Sequence, residues 1–144
     1  MKLAKRFLLL YAFAHIAGGL LLPCLVDTPF FAHYNNAVAT AFNTQDAASR
    51  AQANYLSALM GPTVASWGLL FALAVQQSFA KPTRMAWWGM LGAGLLWAPY
   101  DSWPAWQHGV HLNTLINVLS LLALLVPLWL VRHNFLHAPH NTSS

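Results

Sequence analysis

The chain has 144 residues, of which 58% are hydrophobic and 7% are charged, and its formal net charge is +4. So few charged groups cannot cover a water-soluble globular domain, and the composition indicates a membrane protein of one compact domain. The basic residues are dispersed at the ends of apolar segments, so the net charge does not indicate nucleic-acid binding. Since Cys24 is the only cysteine, an intramolecular disulfide is excluded.

Four apolar segments are long enough to cross about 30 Å of hydrocarbon as helices, if the third includes residues at the interface. The spans are predicted at 7–26, 61–80, 85–103 and 111–131. The sequence therefore predicts an all-α integral membrane four-helix bundle over residues 1–132, with a short flexible cytoplasmic tail at 133–144. The basic start could also belong to a cleaved signal peptide, but Pro23 and Cys24 make a poor cleavage site, so a retained span is favoured.

Once these spans are drawn, the charged residues separate between the two sides of the membrane. The side that holds the N-terminus carries Lys2, Lys5, Arg6, Lys81, Arg84 and Arg132. The three aspartates and Arg50 fall on the other side. This positive-inside distribution predicts both termini in the cytoplasm, and the short basic ends favour a multi-pass protein of the bacterial inner membrane.

Residues 27–60 form the one sizeable outer segment, between the first two spans. Its first half is predicted as an interfacial loop. A helix is predicted from about residue 45, with Asn43 or Thr44 as its cap, and it continues outward from the second span. Pro62 predicts a kink at the water boundary, and Pro104 predicts a break between the third and fourth spans.

Glycines predict where the spans approach each other most closely. Gly18 and Gly19 lie on the first span, and Gly92 and Gly94 lie on the third. The closest contact is therefore predicted between spans one and three, or between one of them and a second copy in a homodimer.

His15 needs an explanation because polar side chains are costly in hydrocarbon, and it lies near mid-membrane. The simplest interpretation is a neutral imidazole that is hydrogen-bonded to a neighbouring helix, at Ser66, Asn117 or Ser120, with Tyr11 one turn away. The functional alternatives are a proton relay, an axial haem ligand or a hydrogen-bond donor to a quinone or another head group.

A second cluster of aromatic and polar residues is predicted where span three turns into span four. Its simplest interpretation is an interfacial aromatic belt with a charge-assisted hydrogen bond from His108 or His111 to the Asp101 carboxylate. The alternatives are a lipid or small-molecule head-group site, and a metal site of Asp101, His108 and His111, with His33 as a further ligand. Asn113 and Asn117 either join helices or line an outer cavity. In the tail, His133, His137 and His140 are interpreted as fortuitous metal ligands.

The sequence contains no familiar catalytic motif and no continuous polar path across the membrane. It predicts a small, non-catalytic polytopic protein that binds a lipid, a small molecule or a partner protein in an outward-facing pocket. The alternative is a small membrane enzyme or redox component that acts on a lipid or quinone, with a metal or haem. The candidate ligand-binding residues are Tyr11, His15, Arg50, Trp97, Tyr100, Asp101, Trp103, His108, His111, Asn113 and Asn117.

Overall fold

The computed structural model describes residues 1–43 and 46–137, and within these ranges the ordered elements are all helical. The helices are α1 (Lys2–Leu25), α2 (Ala32–Ala41), α3 (Ala47–Ala80), α4 (Arg84–Gln107) and α5 (His111–Leu136), with a single 3₁₀ turn at Pro29–Phe31. Three predictions, on Thr44 as a cap, on His140 and on the end of the tail, lie outside the described residues.

Three of these helices, α1, α3 and α5, are long and apolar enough to cross a membrane. Helix α4 has the same 24-residue length as α1 but falls short in hydropathy. The chain is therefore helical and carries three candidate membrane-spanning helices within its described part.

Helix α3 has 34 residues and runs without interruption through Pro62. At 1.5 Å per residue it is about 51 Å long, which exceeds the hydrocarbon thickness by several turns. Its cap is Asp46 and not Asn43, because the Asp46 carboxylate accepts a hydrogen bond of 2.9 Å from the Ser49 amide. Hydrogen bonds from the Ser49 side chain and from its amide lower the pKa of Asp46.

Two other predictions about the connecting segments are wrong. The segment that was predicted as a loop contains α2, which is joined to the end of α1 by a 2.6 Å hydrogen bond from the Asn35 amide to the Val26 carbonyl. Helix α4 does not break at Pro104 but continues to Gln107, and the chain turns at Gly109, whose φ of 74° suits a residue without Cβ.

The closest helix pair is α1 with α3, which contain the first and second predicted spans. The glycine pattern predicted a different pair, the first and third spans, which are α1 and α4. A Cβ atom added at Gly19 would lie 2.5 Å from the Gly61 carbonyl oxygen and the Ala65 amide nitrogen. Gly68 meets the backbone of α1 in the same way, near Ala12. Gly94 of α4 instead faces Leu124 of α5. The glycines therefore build two antiparallel pairs, α1 with α3 and α4 with α5.

Helices α1 and α5 join these pairs, and they also run antiparallel. The Tyr11 hydroxyl shares a 2.8 Å hydrogen bond with Ser120. Between α4 and α5, Trp87 donates to the Leu128 carbonyl at 3.0 Å, and Arg84 donates to the Leu136 carbonyl at 2.7 Å.

Because the helices run antiparallel, the basic residues gather at one end of the structure, which is called the basic end. They are Lys2, Lys5, Arg6, Lys81, Arg84 and Arg132. The opposite end, called the acidic end, carries Asp27, Asp46 and Asp101.

The most deeply buried side chains lie toward the basic end, where all four long helices contribute. The fully buried ones include Leu8, Val75, Leu128 and Phe135. Phe135 belongs to the segment that was predicted as a flexible tail, but α5 continues to Leu136 and packs Phe135 edge-to-face on Phe79 at 5.2 Å. The prediction that the fourth helix ends near Arg132 is therefore wrong by one turn, because Phe135 supplies an apolar side chain to the core.

Candidate functional site

Asp101 is held at the acidic end by two amides from α5. Its Oδ2 atom accepts hydrogen bonds of 2.9 Å from Asn113 and 2.7 Å from Asn117. Asn117 is 3% exposed and also donates to the Ser102 hydroxyl at 3.2 Å. The two asparagines are one turn apart on α5, so both amides reach the same carboxylate. Both asparagines therefore join α4 to α5, and Asn113 also lines an outer cleft, so the two alternatives for these residues are not exclusive.

A cleft lies over this carboxylate and is called the Asp101 pocket. Its volume is about 240 Å³, and α2 supplies one wall while α4 and α5 supply the other. The lining residues are Tyr34, Val38, Phe42, Asp101, Pro104, Ala105, His108, Val110 and Asn113. The sequence predictions identified Asp101, His108 and Asn113, whereas Tyr34 and Val38 of α2 and its cap Phe42 were missed.

The α2 wall consists of Tyr34 and Val38, one turn apart on one face of the helix, and Phe42, four residues further on, which caps the end of the helix. Phe42 contacts the His108 ring with centroids 4.8 Å apart. Burial, with the negative charge of Asp101, raises the pKa of Tyr34, so its hydroxyl is neutral at physiological pH. This wall was missed because the segment was interpreted as a loop, although the four-residue spacing was available as a signal.

The proposed metal ligands are not brought together. His108 faces Phe42, whereas His111 packs edge-to-face on Trp106 at 4.7 Å and does not line the Asp101 pocket. His33 shares a different cleft with His108. In residues 1–43 and 46–137, no three His, Cys, Asp or Glu side chains are close enough to hold one metal ion. In the tail, the stacked rings of His133 and His137 lie 4.1 Å apart.

Arg50 lies apart from Asp101, in a polar cleft of about 360 Å³ between α2 and the start of α3. It donates to the Asn36 side chain at 3.3 Å. In the same cleft the Asn54 amide donates to Asp27 at 2.7 Å. Tyr100 and Trp103 are also outside the Asp101 pocket, since they are 78% and 66% exposed on the surface of α4. These three predicted residues therefore do not join Asp101 in one site.

The remaining predicted residues belong to an aromatic cluster deeper between the helices. It consists of Tyr11, His15, Trp67, Phe71 and Trp97. The Trp67 ring lies 4.9 Å from His15, 5.2 Å from Phe71 and 6.1 Å from Trp97. Trp67 joins α1 to α4 through these contacts, and the sequence offered no distinctive signal for it.

His15 does not bond to Ser66, Asn117 or Ser120, as the simplest interpretation predicted. Its Nδ1 atom lies 2.8 Å from the Tyr11 carbonyl of its own helix. A carbonyl can only accept, so Nδ1 carries a hydrogen, which leaves Nε2 as the ring's remaining site for an acceptor lone pair. The Ser120 hydroxyl is bonded to Tyr11 instead.

No family model, no curated protein and no solved structure matches this chain. The functional argument therefore proceeds from the residues and contacts described above.

Proposed function

We propose that the chain is a multi-pass protein of the bacterial inner membrane, built as a four-helix bundle with both termini in the cytoplasm. A fourth crossing by α4 is supported by its length of about 36 Å at 1.5 Å per residue and by its antiparallel contacts with α5 from Trp87 to Asp101. The basic end then lies on the cytoplasmic side. In this orientation the Asp101 pocket opens outward.

Cysteine labelling tests this orientation, since Cys24 is the chain's one cysteine. In a Cys24→Ala background, we expect a membrane-impermeant maleimide to label Ala48→Cys in intact spheroplasts. His137→Cys should be labelled only after the membrane is permeabilised. Labelling of both positions in intact spheroplasts would mean an even number of crossings between residues 48 and 137, which would exclude α4 as a span.

In this orientation the Asp101 pocket binds a ligand with a positively charged head group. We propose binding alone as the function, with no catalysed reaction. The observation that supports this function is a fixed carboxylate that lacks a cationic partner. Within the described ranges, Asp101 accepts only from the amides of Asn113 and Asn117, and no Lys or Arg side chain pairs with it. Asp101 is exposed, so the positive charge of a ligand can reach its carboxylate and pair with it.

The walls of the pocket suit the same class of ligand. Tyr34, Phe42 and His108 place aromatic rings around the cleft, and the faces of aromatic rings attract organic cations. The volume of about 240 Å³ lies below the range of drug-sized pockets, so the cleft fits a head group and not a whole large ligand. An ammonium group, on a lipid or on a small soluble amine, satisfies both the charge and the size.

Binding of choline to the full chain in a neutral detergent tests this proposal by calorimetry. We expect Asp101→Asn to weaken choline binding about tenfold or more, which corresponds to about 1.4 kcal/mol. The asparagine oxygen can still accept from Asn113 and Asn117, so the helix contacts survive. The neutral analogue of choline, in which a carbon atom replaces the quaternary nitrogen, should bind the native chain as weakly as choline binds the variant.

Asp27→Asn is the matched control, because Asp27 is another exposed carboxylate at the acidic end that accepts from an asparagine amide. It should leave choline binding unchanged. Equal binding of choline to the native chain and to Asp101→Asn would contradict the proposal, as would equal binding of the neutral alcohol to the native chain.

A second candidate function is a redox component or enzyme that acts on a quinone. It is favoured by the hydrogen bond from His15 Nδ1 to the Tyr11 carbonyl, which orients Nε2 as an acceptor beside the Trp67 ring. A quinol hydroxyl could donate to this atom. Stoichiometric quinone in the purified native chain, lost in His15→Ala with the fold retained, would favour this function over cation binding.

A further inference from the structure

Two apolar grooves flank α5 at the basic end, far from the Asp101 pocket. The first lies between α1 and α5 and has a volume of about 530 Å³. The second lies between α4 and α5 and has a volume of about 420 Å³. All the residues that line the two grooves are apolar.

The grooves are separated by a ridge of two side chains. Val126 and Leu130 line both grooves and are 56% and 75% exposed. They are four residues apart and so lie one above the other on α5. On α5 the first groove extends from Leu122 to Val131, about 14 Å at 1.5 Å per residue. This length matches one leaflet of a hydrocarbon core about 30 Å thick.

Basic residues lie at the basic end of α1 and α5, next to residues that line the grooves. Lys5 and Arg6 follow Ala4, a lining residue of the first groove, in the opening turns of α1. Arg132 lies beside the second groove, with its guanidinium carbon 4.1 Å from the centre of the Trp129 ring that lines it. The Trp129 carbonyl accepts from the same guanidinium at 3.2 Å, which holds Arg132 at this position.

We propose that this surface binds one anionic phospholipid of the cytoplasmic leaflet. Its two acyl chains occupy the grooves on either side of Val126 and Leu130, and its phosphate is bound by Arg132 with Lys5 and Arg6. The proposal uses the membrane orientation inferred above but not the Asp101 pocket, so each can fail without the other. Basic pockets between membrane helices on the cytoplasmic side are typical sites for anionic lipid head groups.

Native mass spectrometry of the full chain, released from detergent with defined lipids, tests this site. Phosphatidylglycerol and phosphatidylcholine with identical acyl chains are the two probes. We expect one phosphatidylglycerol to remain bound at collision energies that remove phosphatidylcholine, with a preference of about fivefold or more. Arg132→Gln combined with Lys5→Gln should abolish the preference, whereas Arg132→Lys combined with native Lys5 should keep most of it.

Arg50→Gln is the matched control, because it removes a basic side chain at the acidic end and should leave the lipid preference unchanged. Ala123→Trp fills the first groove and should weaken retention of both lipids, as measured beside the melting temperature of each variant. Equal retention of the two lipids by the native chain would overturn the proposal. A second result would also overturn it: the native chain forms dimers without bound lipid, and Ala123→Trp dissociates them. The grooves would then be covered by a second copy of the chain.

Discussion

Gly19→Ala is expected to separate α1 from α3 and to destabilise the protein. The new Cβ atom would lie 2.5 Å from two backbone atoms, the Gly61 oxygen and the Ala65 nitrogen. Backbone atoms cannot rotate away as a side chain can, so the two helices must move apart along their closest contact. Overpacking of this kind costs about 1–3 kcal/mol, and the rigid neighbours place Gly19 at the upper end. Unfolding by sodium dodecyl sulfate in mixed micelles, followed by Trp fluorescence, measures the loss.

Gly18→Ala is the matched control, because nothing lies within 4 Å of the Cβ position at Gly18. Alanine also has a better helix propensity than glycine, by about 1 kcal/mol in a helix interior. Gly18→Ala should therefore be neutral or slightly stabilising. Equal losses for the two variants would contradict the α1–α3 contact. A change in oligomeric state for Gly18→Ala alone would instead place Gly18 in a homodimer interface.

Phe135→Ala is expected to be the second large effect, at about 3 kcal/mol. Phe135 is fully buried and packs on Phe79. The value is at the low end for truncation of a buried phenylalanine, because a chain that unfolds within lipid still keeps its apolar side chains out of water. The same unfolding assay measures it. A chain that ends at Arg132 should lose more stability than Phe135→Ala, since it also lacks the Leu136 carbonyl that accepts a hydrogen bond from Arg84.

Leu119→Ala serves as the control for Phe135→Ala, because Leu119 lies on the same helix and is 58% exposed. Its replacement should change the stability little. If Phe135→Ala matched this control, the last turn of α5 would not belong to the core, and the sequence-based prediction of a tail after Arg132 would be favoured.

Local patterns in the sequence were sufficient for the helical class and for three candidate membrane-spanning helices. Runs of apolar residues and the composition determine these features, because both depend on transfer from water to lipid and not on which helix packs on which. The continuation of the helix that contains Pro62 back to Ala47 also followed from local composition. The fourth crossing and the orientation remain predictions from the same charge pattern.

Contacts between distant residues could not be predicted in this way. The glycines of spans one and three were both recognised, but Gly19 packs on Gly61 of α3 while Gly94 packs on Leu124 of α5. The partner of a small residue depends on the rotation and pairing of whole helices. A sequence pattern gives the face of each helix but not the helix that covers it.

The same distinction between local pattern and helix packing applies to the candidate site. The sequence predicted that Asp101, Asn113, Asn117, His108 and His111 would lie near one end of neighbouring helices, because short connections and helix length set their depth. Only the tertiary structure decided that both asparagines bond to Asp101, that His111 packs on Trp106, and that α2 forms one wall of the cleft beside the carboxylate. The physical reason is that depth follows from counting residues along each helix. The neighbours of a side chain follow from the packing of all the helices at once.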